Sequence, residues 1–145
     1  MARRAFDIVV AGTALLAASP FLLAAVLAIR LESRGSPISR QRRVGKDGHA
    51  FDVLKLRTMV TGAEHMGAGL AVSEGDTRIT RVGRLLRRTS LDEVPNLVNV
   101  LRGEMAIVGP RPTVPVQVDR YTERQRGRLA VKPGITGWAP PEGTR

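Results

Sequence analysis

Residues 8–29 carry no charge: 22 consecutive positions of Ala, Leu, Ile, Val, Phe, Gly, Thr and Ser, with one Pro. As a helix this run is about 33 Å long at ~1.5 Å per residue, enough to cross a hydrocarbon core of about 30 Å. Three readings are open. The first, simplest on hydropathy alone, is one spanning helix. The second is a signal peptide, because Arg3 and Arg4 precede an Ala-rich apolar stretch. Against it, the run is long for such a segment and Asp7 sits at its start. The third is a re-entrant hairpin. Ser19-Pro20 lies at the middle of the run. Pro20 has no N–H for the carbonyl of Leu16 and its ring crowds that turn, so a kink is expected. The Ser19 hydroxyl is expected to bond back to the carbonyl of Leu15. The arms, residues 8–18 and 21–29, are each about 15 Å long as helix, roughly half the apolar core. Arg3 and Arg4 flank one side, and Arg30, Arg34, Arg40, Arg42 and Arg43 the other. Positive flanks prefer the cytoplasm, and if both ends obey that rule the helix enters, bends and returns.

With 145 residues, part of them in the apolar run, the soluble core is small. Cysteine is absent, which excludes disulfides and thiolate metal sites. The two histidines, His49 and His65, lack metal-ligand spacing, which argues against a histidine zinc site. Lys and Arg outnumber Asp and Glu by 23 to 13, and most of the cations are Arg. Arg holds phosphate through a planar fork of donors, so the candidate partners are nucleic acid, anionic head groups and phosphorylated substrates. Phe6, Phe21, Phe51, Tyr121 and Trp138 are the whole aromatic set. Binders of single strands stack bases on aromatic platforms, and a nucleic-acid binder has no use for the apolar run. Lipid and phosphate substrates are therefore favoured, and nucleic acid is not expected.

Beyond Arg30 the pattern is that of a small mixed domain. Ser33-Arg34-Gly35-Ser36-Pro37 is a turn. Lys46-Asp47-Gly48 is another, between residues 38–44 and the strand-like 50–56, which predicts a hairpin. Residues 61–75 are rich in Gly and Ala and read as a loop with a short helix. Residues 79–88 are helical, with Val82, Leu85 and Leu86 on one face. Residues 90–102 predict a second helix with Gly103 as its stop. A short strand is expected at 105–108, a rigid turn at Gly109-Pro110-Arg111-Pro112, a polar helix at 116–126 and a strand at 129–131. No core-forming pattern is visible in residues 140–145, and there is no internal repeat. The fold class is α/β, mostly helical with little sheet. The apolar segment (1–30), expected to be re-entrant if both flanks lie in the cytoplasm, is followed by a small domain (31–145) that would then be cytoplasmic.

Asp92-Glu93 is the acidic pair with the most chemical interest. Residues 90–93 fit S-x-x-E, a capping box in which the acids satisfy free N–H groups at a helix start. Pro95 sits awkwardly if Ser90 is the cap and comfortably if Asp92 is. On residues alone, capping is the simpler reading. The chemical reading uses the same physics. A helix N-terminus lowers a carboxylate pKa and keeps it ionised, and it attracts phosphate. An ionised Asp beside a diphosphate can attack phosphorus and form an acyl phosphate. The adjacent Glu can hold magnesium, which prefers oxygen ligands and bridges to substrate phosphates.

Arg78, Arg81, Arg84 and Arg87 recur every three residues, with Arg88 beside the last. A solvated helix face accounts for most of them. Arg87 and Arg88 stand apart because they lie just before the acidic pair. Arg111 stands apart because Pro110 and Pro112 stiffen its backbone, so less entropy is lost on capturing a phosphate. A purely structural Pro-Arg-Pro turn fits equally well. Lys55 and Arg57 alternate with Leu56 and so point to one face, toward substrate phosphate, head groups or solvent.

The stretch TSLDEVPNLVNVLRGEMAIVGPRP (89–112) closely resembles the signature of the bacterial sugar transferases, the monotopic phosphoglycosyl transferases of glycan assembly. The resemblance extends over nearly the whole chain in the family's order. It takes in residues 4–29 with Ser19-Pro20, Gln41-Arg42-Arg43-Val44-Gly45 with Gly48 and Phe51, and residues 55–59, 77–83 and 132–138. It implies a re-entrant helix at the cytoplasmic face of the bacterial inner membrane. It further implies that Asp92 is the nucleophile that carries the phosphosugar, that Glu93 helps bind Mg2+, and that Arg87 and Arg111 contact phosphate. Lys55, Arg57 and Arg88 are further candidates for phosphate. The implied substrates are a nucleoside-diphosphate sugar, usually a UDP-sugar, and polyprenyl phosphate, with membrane lipids and downstream glycosyltransferases as partners. The implied role is to initiate exopolysaccharide, O-antigen or glycoprotein-glycan assembly. Glu104 stands where the family usually has Asp. After Trp138-Ala139 the family continues with Gln and an Asn-Gly-Arg stretch, where this chain has Pro140-Pro141-Glu142-Gly143-Thr144-Arg145. That departure predicts a short C-terminus and raises the alternative of a truncated relative that binds lipid phosphate or a partner without turnover.

Overall fold

The computed structural model describes residues 2–67, 72 and 75–137. Trp138, Ala139 and the divergent stretch 140–145 lie outside the described residues, as does most of 68–74.

The apolar run forms most of helix α1 (Ala2–Glu32), which is unbroken across Ser19-Pro20. By length and composition it is able to cross a membrane. The Ser19 hydroxyl donates to the carbonyl of Leu16 at 2.7 Å, not to that of Leu15 as expected. The reason is chemical: the Leu16 carbonyl is the acceptor that Pro20 leaves without its N–H, and Ser19 supplies the missing donor. The buried residues of α1 are Asp7, Ala11, Ala25 and Ile29. Their spacings of 4, 14 and 4 place them on one stripe at 3.6 residues per turn. Leu16, Phe21, Leu23, Leu27 and Leu31 are exposed.

Both ends of α1 are fastened to the same folded unit. Near the N-terminus Arg3 donates to the carbonyl of Val108, Arg4 to those of Val100 and Leu101, and Asp7 accepts the N–H of Ile107 at 3.0 Å. At the other end Glu32 accepts the N–H groups of Arg81 and Val82 at 2.8 and 3.0 Å. Asp7, out of place at the head of an apolar run, is explained by its buried hydrogen bond.

Strands β1 (Ile38–Val44) and β2 (Ala50–Leu56) form the expected antiparallel hairpin, with Ile38 opposite Leu56 and Val44 opposite Ala50. Its turn places Asp47 and Gly48 at positive φ, 57° and 79°, a conformation that Gly adopts freely and Asp tolerates. A short 3-10 turn at Ala63–His65 follows. Helix α2 (Arg81–Thr89) starts with its free N–H groups satisfied, two by Glu32 and that of Gly83 by the Thr80 hydroxyl at 2.9 Å. Gly83 is where α2 touches the chain after β2: a Cβ there would lie 2.0 Å from the carbonyl oxygen of Thr58.

The single helix expected at 90–102 is two pieces. Ser90 adopts φ 57° and closes α2 through its N–H, a 3-10 turn covers Leu91–Glu93, and α3 runs from Asn96 to Arg102. The Ser90 side chain caps nothing, so the capping box is absent. Residues 116–126 also divide, into α4 (Pro115–Val118) and α5 (Glu123–Arg126). Thr122 starts a new capping box with Gln125 there. The strand expected at 129–131 is instead a 3-10 turn at Gly127–Ala130. The strand lies further on: β3 (Ala106–Val108) pairs in parallel with β4 (Gly134–Thr136). Gly134 permits that approach, since a Cβ on it would sit 2.0 Å from the Gly109 nitrogen.

Two apolar clusters form the core, and α1 enters both. Ala11 packs with Phe51, Val53, Val100 and Met105; Ala25 and Ile29 pack with Leu56 and Leu86. Between hairpin and α3 lies fully buried Asn99, whose side chain accepts from Leu54 N–H and donates to the Asp52 carbonyl and to Glu104. The architecture is a mixed fold of helices with two small sheets.

Candidate active site

A cavity of about 800 Å³ opens where the hairpin, the chain after β2, the end of α2 and the 3-10 turn meet. Asp92 and Glu93 both line it, because the left-handed turn at Ser90 redirects the chain at the end of α2. Asp92 is half-buried, and among the described residues no side chain donates a hydrogen bond to its carboxylate. Burial pushes its carboxyl above the ordinary aspartate range; the Lys55 charge opposes this, Glu93 reinforces it and Arg87 opposes it. The lowering expected of a helix N-terminus does not occur. A three-residue 3-10 turn lacks a developed dipole, and desolvation prevails.

Glu93 is held differently. Its Oε1 accepts from Lys55 Nζ at 2.7 Å and from Arg111 at 3.3 Å. Burial alone would raise its pKa, but the hydrogen bond and charge of Lys55, then those of Arg111, hold it below the usual glutamate value. Two adjacent carboxylates thus have opposite characters: one desolvated with only its own backbone N–H as donor, one clamped between cations.

The basic candidates separate into groups. Lys55, Arg57, Arg87 and Arg111 all line the cavity. Arg87 gives its Nε to buried Thr58 at 2.9 Å, which leaves the rest of its fork without a protein partner among the described residues. The Arg111 side chain is 69% exposed at the mouth. Arg57 is occupied by the turn after α1, donating to the Ser33 and Arg34 carbonyls and the Ser33 and Thr61 hydroxyls. It therefore fastens a loop, although Lys55 and Arg57 do reach the same cavity. Arg88 is exposed and lies outside the cavity wall. Of the other periodic arginines, Arg81 and Arg84 are exposed, whereas Arg78 is buried against Asp76 at 2.6 Å.

Arg43, named in the sequence only as a flanking cation and part of a motif, also belongs to the site. It lines a small adjoining cavity with Lys55, Glu93, Asn96 and Arg111. Burial and then the Arg111 charge lower its pKa. Strand alternation at Gln41-Arg42-Arg43 was the available signal, since period two places Gln41 and Arg43 together, and Arg43 does donate to Gln41 at 3.0 Å. Thr58, which orients Arg87, left no local signal.

Magnesium needs few protein ligands where phosphate oxygens and water complete its shell. The Asp92 carboxylate accepts from its own backbone N–H but from no side chain among the described residues, and Glu93 keeps Oε2 free because both cations bind Oε1. The pair would suit one such ion, whose remaining ligands phosphate oxygens and water would supply. Among the described residues there is no larger cluster of carboxylates or histidines suited to a metal.

A family model described as bacterial sugar transferase matches residues 1–145. The chain belongs to the bacterial sugar transferase family. It is 43% identical, over 99% of its length, to an undecaprenyl-phosphate glucose phosphotransferase of Komagataeibacter xylinus. To a UDP-glucose:undecaprenyl-phosphate glucose-1-phosphate transferase of Caulobacter vibrioides it is 45% identical over 99%. To a UDP-N-acetylgalactosamine-undecaprenyl-phosphate N-acetylgalactosaminephosphotransferase of Aeromonas hydrophila it is 42% identical over 94%. The chain spans 28%, 54% and 33% of those three proteins' own lengths.

Proposed function

We propose that this sugar transferase chain moves a phosphosugar from a UDP-sugar to polyprenyl phosphate through a covalent intermediate on Asp92. The observation that carries the reading is the contrast within the acidic pair: a half-buried Asp92 with no side-chain donor in a cation-lined cavity, beside a Glu93 already neutralised by Lys55 and Arg111. Desolvation makes a carboxylate a stronger nucleophile than it is in water.

The chemistry balances in two steps. One Asp92 oxygen attacks the phosphorus that bears the sugar, and the bond from that phosphorus to the bridging oxygen breaks. UMP leaves with the bridging oxygen and its electron pair. A phosphate oxygen of polyprenyl phosphate then attacks the same phosphorus, the acyl phosphate bond breaks, and Asp92 regains its carboxylate. The product is a polyprenyl diphosphosugar, the starting lipid of a membrane glycan. Arg87 and Arg111 are suited to hold the phosphate oxygens as charge shifts, and Lys55 holds Glu93 in place. Bound magnesium would supply charge neutralisation between the anionic nucleophile and the diphosphate.

The exposed apolar surface of α1, with both ends fastened to one folded unit, supports a helix that enters the membrane and returns on the same side. The arginine-rich flanks support the cytoplasmic face. An acceptor phosphate at the interface then meets an active site held at that depth.

The test is UMP release from a panel of UDP-sugars with magnesium and no acceptor, comparing wild type with Asp92→Asn. A stoichiometric burst from wild type alone is expected. A folded, membrane-inserted wild type that gives no burst with any donor would overturn the enzyme reading in favour of a binding protein.

A further inference from the structure

One face of the hairpin carries a polar row that the chemistry above does not use. Ser39 stands opposite Lys55, Gln41 opposite Val53 and Arg43 opposite Phe51, and the alternation of a strand puts these side chains on the same side of the sheet. Of this row, Ser39, Gln41 and Lys55 line the cavity at Asp92. Arg43 does not line it and reaches only the smaller cavity adjoining it. Gln41 thus meets both the large cavity and Arg43.

The contact between the two has a fixed sense. An arginine side chain offers only donors, so Arg43 takes the amide oxygen of Gln41, at 3.0 Å. The amide nitrogen is left with two N–H donors, and neither has an acceptor among the described residues. The charges of the pair are informative too. Arg43 is half-buried, feels the charge of Arg111, and forms no ion pair among the described residues. A cation in such surroundings ordinarily pairs with a carboxylate. A glutamate at position 41 would compensate Arg43 better, but it would present negative charge to the cavity and no donor at all. The neutral amide keeps a donor there.

We infer that Gln41 is a further binding residue, donating from its amide nitrogen to a phosphate oxygen of the nucleoside-diphosphate sugar, and that Arg43 is the positioning residue that holds the amide in that sense. The surroundings select phosphate. Lys55, Arg87 and Arg111 line the same cavity, so an anion collects there. A neutral amide adds a donor for that anion without adding to the repulsion among the cations. The inference rests on the donor reading proposed above.

The experiment reads binding without turnover. The full chain carrying Asp92→Asn, in detergent with magnesium, is titrated with UDP, the part common to every donor in the panel. Calorimetry gives Kd, thermal melts give Tm, and nitrogen-15 spectra follow the side-chain amide of Gln41. That amide signal is expected to shift as UDP binds. Gln41→Met should weaken UDP about tenfold, the factor for losing one hydrogen bond to a charged group. Gln41→Glu should weaken it further by repulsion, with Tm unchanged or raised, because the new carboxylate pairs with Arg43. Arg43→Lys still offers only donors and should keep the affinity, whereas Arg43→Met frees the amide to turn and should lose part of it. A Gln41 that merely satisfies Arg43 gives the opposite pattern: Gln41→Glu raises Tm and binds UDP as before. That pattern would overturn the inference, as would an amide signal unmoved by saturating UDP or a parent chain that does not bind UDP. The UMP burst of the wild type decides the covalent step separately, so failure here is distinct from failure of that reading.

Discussion

Replacing Lys55 by Met removes the ammonium 2.7 Å from Glu93 Oε1 while keeping most of the side-chain volume. At that distance and an effective dielectric of ~20, the bare attraction is about 6 kcal/mol. Desolvation of the two ions offsets most of it, and charged hydrogen bonds of this kind contribute about 1.5–3 kcal/mol net. Arg111, at 3.3 Å and largely exposed, retains part of the compensation when Lys55 is gone, so about 2 kcal/mol is expected. For a chain of this length that lowers Tm by about 4–8 °C. The assay is thermal unfolding of wild type, Lys55→Met, Glu93→Gln and the double variant, read as a cycle. The expected coupling is about 1–2 kcal/mol. Acidification supplies a second check. The folded-state pKa of Glu93 is depressed, so the stability it contributes is fully present above the ordinary glutamate value of about 4.3 and is lost as pH falls through the depressed value. The penalty of Lys55→Met should be complete at neutral pH and shrink under acid. Additivity within about 0.5 kcal/mol, or a penalty independent of pH, would refute the pairing as the cause of the Glu93 shift.

Asp92→Asn should raise Tm at neutral pH even as it abolishes the UMP burst. The folded-state pKa of Asp92 is raised, so its ionised form destabilises the fold above that value, and the difference should vanish below the ordinary aspartate pKa; a lowered Tm in the thermal melt would contradict the desolvation argument. In wild type, the burst rate should rise with pH through a midpoint above the ordinary aspartate range, and a stopped-flow pH series checks this. Asp7→Ala leaves the Ile107 N–H unpaired at about 1–3 kcal/mol, and limited proteolysis should then cut near the start of α1 faster than in wild type. Gly83→Ala places a methyl 2.0 Å from the Thr58 carbonyl oxygen, and should destabilise by at least about 1–3 kcal/mol; an unchanged melting curve would refute the close packing of α2 on that segment.

Residues 8–29 and the Lys46-Asp47-Gly48 turn with its flanking strands were legible in the sequence because each depends on neighbours within a turn or a hairpin; of the face expected on α2, Leu86 and Val82 pack into the core, whereas Leu85 is exposed. The motif at 89–112 likewise identified the family and singled out Asp92, Glu93 and Arg111, and Arg87 stood out as a cation just before it. What the motif did not carry was the environment of those groups. Glu93 is clamped by Lys55 and Arg111, 38 and 18 residues away in the chain, and no local pattern encodes such a meeting. The S-x-x-E spacing pointed to a capping box, but Ser90 closes α2 in a left-handed conformation and leaves Asp92 in a short turn. Desolvation there reverses the pKa shift expected of a helix start. Arg87 and its neighbour Arg88 look alike in sequence, yet α2 turns one toward the cavity and the other to solvent. Composition and short-range periodicity thus determined which elements form and which chemistry is present. Burial and long-range charge contacts, which exist only once α1, the hairpin and α3 pack together, decided which carboxylate is left without a side-chain donor.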